Sequence, residues 1–344
     1  MAALSDQLLV VAILAYLAAM LAHAVDYAFD RPGARGDAGA PGTAPPAAEP
    51  AAAALVTAAV GGPVTVAHPV PGGAPAGPPG APPPPAGGPP AGRAALPGRI
   101  AVAVTVVAVL VHLGCLVTRG LAADRMPWGN MYEFVLSVTF VGAVGWLVVR
   151  RRWPHLRHVG MYVVLVLMLL LGLAGMVLYT PIAPLAPALN SYWFIVHVWS
   201  VVLASGMFLL GFVPAALYLI RAGHDRGRVR FPYPLGRRLP AAETLERLTF
   251  RLHAIAFPIW TFGVAAGAIW AEAAWSRYWG WDPKETWSFI SWVVYAGYLH
   301  ARATPSVRRT TVVWIAVLGW ATMLMNLIGV NIFFEGLHSY AGLD

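Results

Sequence analysis

Eight apolar runs, each near or beyond the roughly 20 residues that a membrane-spanning helix needs, constrain this chain more than any other feature. They fall near residues 7–25, 99–118, 131–149, 159–180, 196–220, 252–271, 286–301 and 310–331. Only 11% of the residues are charged and 58% are hydrophobic, whereas a soluble domain carries about 25% charged residues. There is too little polar surface to face water, so lipid is the solvent for most of the chain. The expected fold is an all-α polytopic membrane bundle of about eight transmembrane helices.

Three regions follow. Residues 1–30 hold the first helix, and its run from Leu8 to Ala24 lacks the basic start of a cleaved signal, so it reads as a retained span. Residues 31–98 are dominated by Ala, Gly and Pro, as in the run from Pro78 to Pro85. Such a tract cannot build a packed core and reads as a disordered linker. Residues 99–344 then hold seven helices. The net charge of +8 is no nucleic-acid signature, because the arginines sit in short loops between apolar runs. Cys115 is the only cysteine, which excludes an internal disulfide, a CxxC redox pair and a zinc–cysteine cluster. Any thiol chemistry therefore belongs to a partner.

Arginine placement sets the expected orientation. Arg150, Arg151, Arg152 and Arg157 follow the third run, the stretch from Arg221 to Arg251 follows the fifth, and Arg302, Arg308 and Arg309 follow the seventh. These loops and the linker read as cytoplasmic. Both termini and the 272–286 loop then lie outside. Helix starts fit this parse: Asn130 with Glu133, and Asp282-Pro283-Lys284-Glu285, each have an N-cap acceptor and a glutamate three residues later.

Six tryptophans crowd the segment from 270 to 292: Trp270, Trp275, Trp279, Trp281, Trp287 and Trp292. An interfacial aromatic belt is the plain account of such a cluster. Here, however, the rings also occupy the loop and alternate with Glu272, Arg277, Asp282, Lys284 and Glu285. An apolar shelf with embedded charges suits a planar ligand with acidic arms, such as a porphyrin. Lys284 is the only lysine in the chain. His197 opens the fifth run and His338 follows the eighth, both on the expected outer side, and a pair of imidazoles is a common way to hold haem iron from two faces. His300 lies about 20 Å along its helix from Trp287, too far to share that iron, and suggests a second position nearer the cytoplasm; the plain alternatives are snorkelling beside Arg302 for His300, an interfacial anchor for His197 and a solvated tail residue for His338. His23, His112 and His253 read as packing or interhelical hydrogen-bonding residues.

The stretch Trp279-Gly280-Trp281-Asp282-Pro283-Lys284-Glu285-Thr286-Trp287, with Tyr298-Leu299-His300 beyond it, resembles the WWD signature of the CcsA/ResC family of system II cytochrome c biogenesis, called CcsB in some bacteria. Asn130-Met131-Tyr132-Glu133, the segment Ser191 to His197, and Asn331 with Gly336 to Tyr340 extend the resemblance over roughly residues 100–344. The resemblance implies that His197 and His338 are external axial ligands of a transient haem b. It implies that Trp275, Trp279, Trp281, Asp282, Lys284 and Trp287 form the haem-presenting loop, and that His300 is a transmembrane ligand completed by a ResB-type partner. The implied function is haem delivery across the bacterial inner membrane and presentation to an apocytochrome c carrying a CxxCH motif. Thioether attachment would then occur within a holocytochrome c synthase, with thioredoxin-like reductants acting indirectly on the thiols. A haem-binding quinol oxidoreductase subunit and a haem exporter without synthase activity are the alternatives. No catalytic acid or base is assigned.

Overall fold

The computed structural model describes residues 1–29 and 96–338, which belong to one compact unit. The expected linker lies almost wholly outside the described residues, as do Ser339 and Tyr340. Among the described residues no strand occurs. Eight long helices lie among these described residues: α1 (Ala2–Phe29), α2 (Leu96–Ala123), α3 (Met131–Arg152), α4 (Val159–Val177), α5 (Tyr192–Asp225), α6 (Ala242–Trp275), α7 (Pro283–Ala303) and α8 (Arg309–Phe333). Helix α8 contains one π turn, Met325–Gly329.

Seven of these helices are long and apolar enough to cross a membrane. The exception among the eight expected spans is α7, because Lys284, Glu285, His300 and Arg302 sit near its ends and Ser291, Tyr295 and Tyr298 are buried along it. It still runs the full depth of the bundle beside its neighbours. At one end Lys284 Nζ donates to Asn326 O of α8, and at the other Arg302 pairs with Glu246 of α6. The apolar runs at 196–220 and 252–271 underestimate their helices. Both α5 and α6 have 34 residues, about 50 Å at 1.5 Å per residue, against a hydrocarbon core of about 30 Å. The excess projects at the arginine-rich end, so Arg247 and Arg251 lie on α6 rather than in a loop. Hydropathy sees only the lipid-bathed part of a helix, and the amphipathic extension carries no such signal.

The connections alternate between two ends of the bundle. At the arginine end Arg157 pairs with Asp26 of α1 at 3.5 Å, and Tyr27 donates to Leu235 O. At the other end a buried charge cluster ties α1, α2 and α3 together. Glu133, fully buried, accepts from Arg119 Nε at 3.0 Å, Arg125 Nη1 at 2.7 Å and the Gly129 amide at 2.8 Å. Arg119 also approaches Asp6 of α1 at 3.7 Å. Asn130 caps α3 by accepting from the Glu133 amide, as its sequence predicts. A glutamate buried among two guanidiniums is costly to disturb, because its partners stay behind without it. Glu133→Gln keeps one acceptor and removes the charge. Its expected cost is about 2 kcal/mol, the scale of hydrogen bonds to charged groups, read as a lower midpoint in thermal unfolding of the detergent-solubilised protein.

Candidate ligand site at the tryptophan end

Helix α6 ends at Trp275 because Ser276 turns into the left-handed region at φ 55°, with its amide returning to Glu272 O. The chain then crosses to α7 through a loop of six further residues, in which Trp281 is also left-handed at φ 57°. A capping box closes this loop. Glu285 Oε2 accepts from the Gly280 amide at 2.8 Å and the Asp282 amide at 3.1 Å, and Asp282 accepts from the Lys284 amide at 3.2 Å. Two orphan donors at the α7 start are thereby satisfied. The Arg277 guanidinium lies where a Cβ on Gly280 would stand, so any larger residue there displaces that side chain.

Asp282 does more than cap. Its Oδ1 accepts from the Leu337 amide at 2.7 Å, and its Oδ2 lies 2.8 Å from His338 Nδ1. A carboxylate in that position fixes the proton on Nδ1 and leaves Nε2 with its lone pair free, the arrangement seen behind metal-ligating histidines. Burial by itself would raise the Asp282 carboxyl, but the His338 hydrogen bond and charge, with the Leu337 and Lys284 amides, hold it below its ordinary value. The sign for stability follows from that lowering. The contribution is full above the ordinary value near 3.8 and is lost as pH falls through the lower folded value. Folding stability of the ligand-free protein is therefore expected to keep this contribution down to about pH 4 and to lose it below, measured as the unfolding midpoint against pH.

His197 is held in the same manner from another direction. Its Nδ1 lies 2.8 Å from Gly263 O on α6, which makes Nδ1 the protonated nitrogen and Nε2 the free one. Its ring packs on Gly267, where a Cβ would come within 2.6 Å of Nδ1. Trp270, 2% exposed, joins the two histidines. It stacks on His197 with centroids 5.7 Å apart and meets His338 edge-on at 5.6 Å. Trp275 meets His338 at 4.9 Å, and Trp270 Nε1 is pinned to Ala188 O at 2.9 Å.

Both histidines line one cavity, partly open, whose remaining wall is mainly apolar and aromatic with Lys284, Glu285 and Asn326 among its few polar groups. That lining matches a small-molecule site. The π turn of α8 serves this wall: Asn326 O accepts Lys284 Nζ at 2.7 Å, and Asn326 Nδ2 donates to Ser288 Oγ at 2.9 Å. π turns leave backbone carbonyls available and recur at functional sites.

The expected site residues thus separate into groups. His197, His338, Lys284 and Trp279 line the cavity, and Asp282 and Trp275 support His338. Trp281 is 65% exposed and contacts Trp279 and Phe289 on the outside of the loop. Trp287 is absent from the cavity wall, and Trp292 points away to Thr261 and Phe257. The six tryptophans are therefore not one flat shelf, because α7 turns Lys284, Glu285 and Ser288 to the cavity and sends Trp292 elsewhere. His300 is exposed at the opposite end of α7, and the structure does not bring it to the others. Sequence reasoning gives Trp270 no role of its own and does not select Trp128, Asn326 or Ser288. Nothing in a sequence marks Trp270 as the ring shared by a histidine of α5 and another in the tail beyond α8.

A family model described as cytochrome C assembly protein matches residues 128–338. The cytochrome c biogenesis protein CcsA of Guillardia theta is 33% identical over 243 residues, which cover 66% of this chain and 80% of that protein. The CcsA of Gloeobacter violaceus is 30% identical over 289 residues, covering 69% of this chain and 85% of the relative. Among solved structures, the cytochrome c haem lyase CcmF shares the fold with a TM-score of 0.50 and 20% identity. The match covers 72% of this chain and 43% of that one.

Proposed function

The chain belongs to the CcsA/ResC family of cytochrome c assembly proteins, and from that premise we propose that it holds haem b between His197 and His338 for covalent attachment to apocytochrome c. The observation that carries this reading is the pairing of two histidines on one cavity, each tied through Nδ1 and each touching Trp270. Their free Nε2 atoms suit the two axial positions of a haem iron. The apolar wall suits the porphyrin faces, and the Lys284 ammonium suits an acidic arm.

In the attachment reaction the two thiols of a CxxCH motif add across the two vinyl groups. Each sulfur takes one vinyl carbon and the thiol hydrogen goes to the other, so no oxidant is consumed. The thiols come from the substrate, since Cys115 is fully buried in α2. The chain's own contribution is placement. His197 and His338 would hold the iron, and Trp279 with the apolar wall would pack against the ring. On this reading the protein is the haem-handling subunit of a system II synthase in the bacterial inner membrane. It works beside a ResB-type subunit that completes the His300 position, while thioredoxin-like proteins keep the substrate thiols reduced. Both termini face outward.

Two measurements check this. Protein purified from haem-replete cells with its partner is expected to show the optical spectrum of a non-covalent, bis-histidine b-type haem, and a haem-free preparation would refute the site. A reporter active only outside the cytoplasm is expected to work when fused after Asp344 and to fail at residue 228. The reverse pattern would refute the orientation.

A further inference from the structure

Helices α6 and α7 face each other with mirrored polar ladders below the cavity. On α6 the positions are Glu246, Thr249, His253 and Trp260, and on α7 they are Arg302, Tyr298, Tyr295 and Ser288. The intervals are three, four and seven residues on one helix and four, three and seven on the other, so each set lies along one helical side. The ladders meet at both ends: Arg302 pairs with Glu246, and Trp260 Nε1 reaches Ser288 O at 3.4 Å, with Trp260 and Ser288 both in the cavity wall.

Midway sits an arrangement that packing alone does not explain. His253 is fully buried and its Nδ1 lies 2.7 Å from Thr249 O, so Nε2 is an acceptor. Tyr295 and Tyr298, 0% and 1% exposed, lie with ring centroids 5.2 and 5.0 Å from that imidazole. His253 Nε2, Tyr295 Oη and Tyr298 Oη all lack a hydrogen-bond partner among the described residues. One orphaned acceptor and two orphaned donors are therefore carried by three neighbouring buried rings. Room for the rings is made by glycines of the flanking helices. A Cβ on Gly211 of α5 would stand 2.5 Å from the His253 ring, and one on Gly319 of α8 would stand 2.6 Å from Tyr295. Facing this cluster, α5 presents Phe208 and Gly211 and α8 presents Gly319, while the charged groups that act on Tyr298 are Glu246 of α6, Arg302 of α7 and Arg309 of α8.

We propose that His253, Tyr295 and Tyr298 bind water in the middle of the bundle, on the polar sides that α6 and α7 turn to each other. A water there accepts from a tyrosine hydroxyl and donates to His253 Nε2, which supplies the two or more polar partners that a buried water requires. The orphaned groups are thereby satisfied, as buried polar groups in native proteins nearly always are.

Radiolytic hydroxyl-radical footprinting on the purified full chain tests the water site without any ligand. Radicals form from bound water, so Tyr295 and Tyr298 are expected to be modified several-fold faster than Tyr16, which is equally buried but paired with His112 at 3.3 Å. His253→Leu is expected to bring Tyr295 down to the Tyr16 rate. Tyr298→Phe, which removes one oxygen, serves the same purpose if the leucine variant does not fold. Rates equal to that of Tyr16 in the unaltered protein, or unchanged by both substitutions, overturn the water site.

Discussion

Maturation of a reporter cytochrome c, read as covalently bound haem in cells lacking the native protein, is expected to fall more than about tenfold when His197 or His338 is replaced by glycine. Each substitution removes one axial nitrogen and leaves a ring-sized gap in the cavity wall. The gap left by His197 is bounded by Trp270 on one side and Gly267 on another, and that left by His338 by Trp270 and Trp275. The acceptors that held each Nδ1, Gly263 O and Asp282 Oδ2, stay in place. Free imidazole can donate to those acceptors and offer its other nitrogen to the iron. Added imidazole is therefore expected to restore several-fold of the lost maturation in both variants. His300 provides the contrast. It is exposed at the far end of α7, about 24 Å along the helix from Lys284, and lines no part of this cavity. His300→Gly is expected to lower the supply of haem while leaving the bis-histidine spectrum of whatever haem arrives unchanged. Full maturation without His197 and His338, or equal imidazole rescue of all three variants, would show that the two-position reading is wrong.

Asp282 is the next most consequential side chain, and its two oxygens separate the possible causes. As a cap alone it contributes about 1 kcal/mol, and asparagine is a good substitute. The structure gives it a second duty, because Oδ2 holds His338 Nδ1 while Oδ1 holds the Leu337 amide. An asparagine oxygen at the Oδ2 place would serve the Lys284 amide and His338 without the charge, and its amide nitrogen would face the Leu337 N–H donor to donor, while the opposite orientation leaves His338 and the cap without an acceptor. Loss of a partner behind a metal-ligating histidine typically costs 10- to 100-fold in affinity. Asp282→Asn is therefore expected to lower haem affinity roughly tenfold with little loss of thermal stability, whereas Asp282→Ala lowers both. Titration of the two purified variants with haem, beside their unfolding midpoints, decides the matter. An asparagine variant that binds haem as the unaltered protein does would reduce Asp282 to a helix cap.

The reading of Asp282 shows where sequence reasoning stops. The pattern Asp282-Pro283-Lys284-Glu285 identifies a capping box because every participant lies within four residues. That His338, 56 residues later, shares the same carboxylate is a fact about chain return, and no local pattern encodes it. Lys284 is similar: its singularity is visible in the composition, but its partner, a carbonyl freed by the π turn at Asn326, is not. The reading of His253 as a packing residue identifies its burial but not its orphaned nitrogen, which depends on what α5, α7 and α8 fail to offer it.

What the sequence determined by itself is the class of the fold and the residue types at the site. Apolar runs of spanning length force helices in lipid, since only a helix satisfies its own backbone there, and the WWD stretch identifies the family. Tertiary structure alone decided which helices exceed the membrane, which tryptophans face the cavity and which point outward, and how two histidines 141 positions apart come to share Trp270. The physical reason is range. Hydropathy and capping act within one or two turns of a chain, whereas a binding cavity is made of faces from several helices whose rotation about their axes is set only when they pack together.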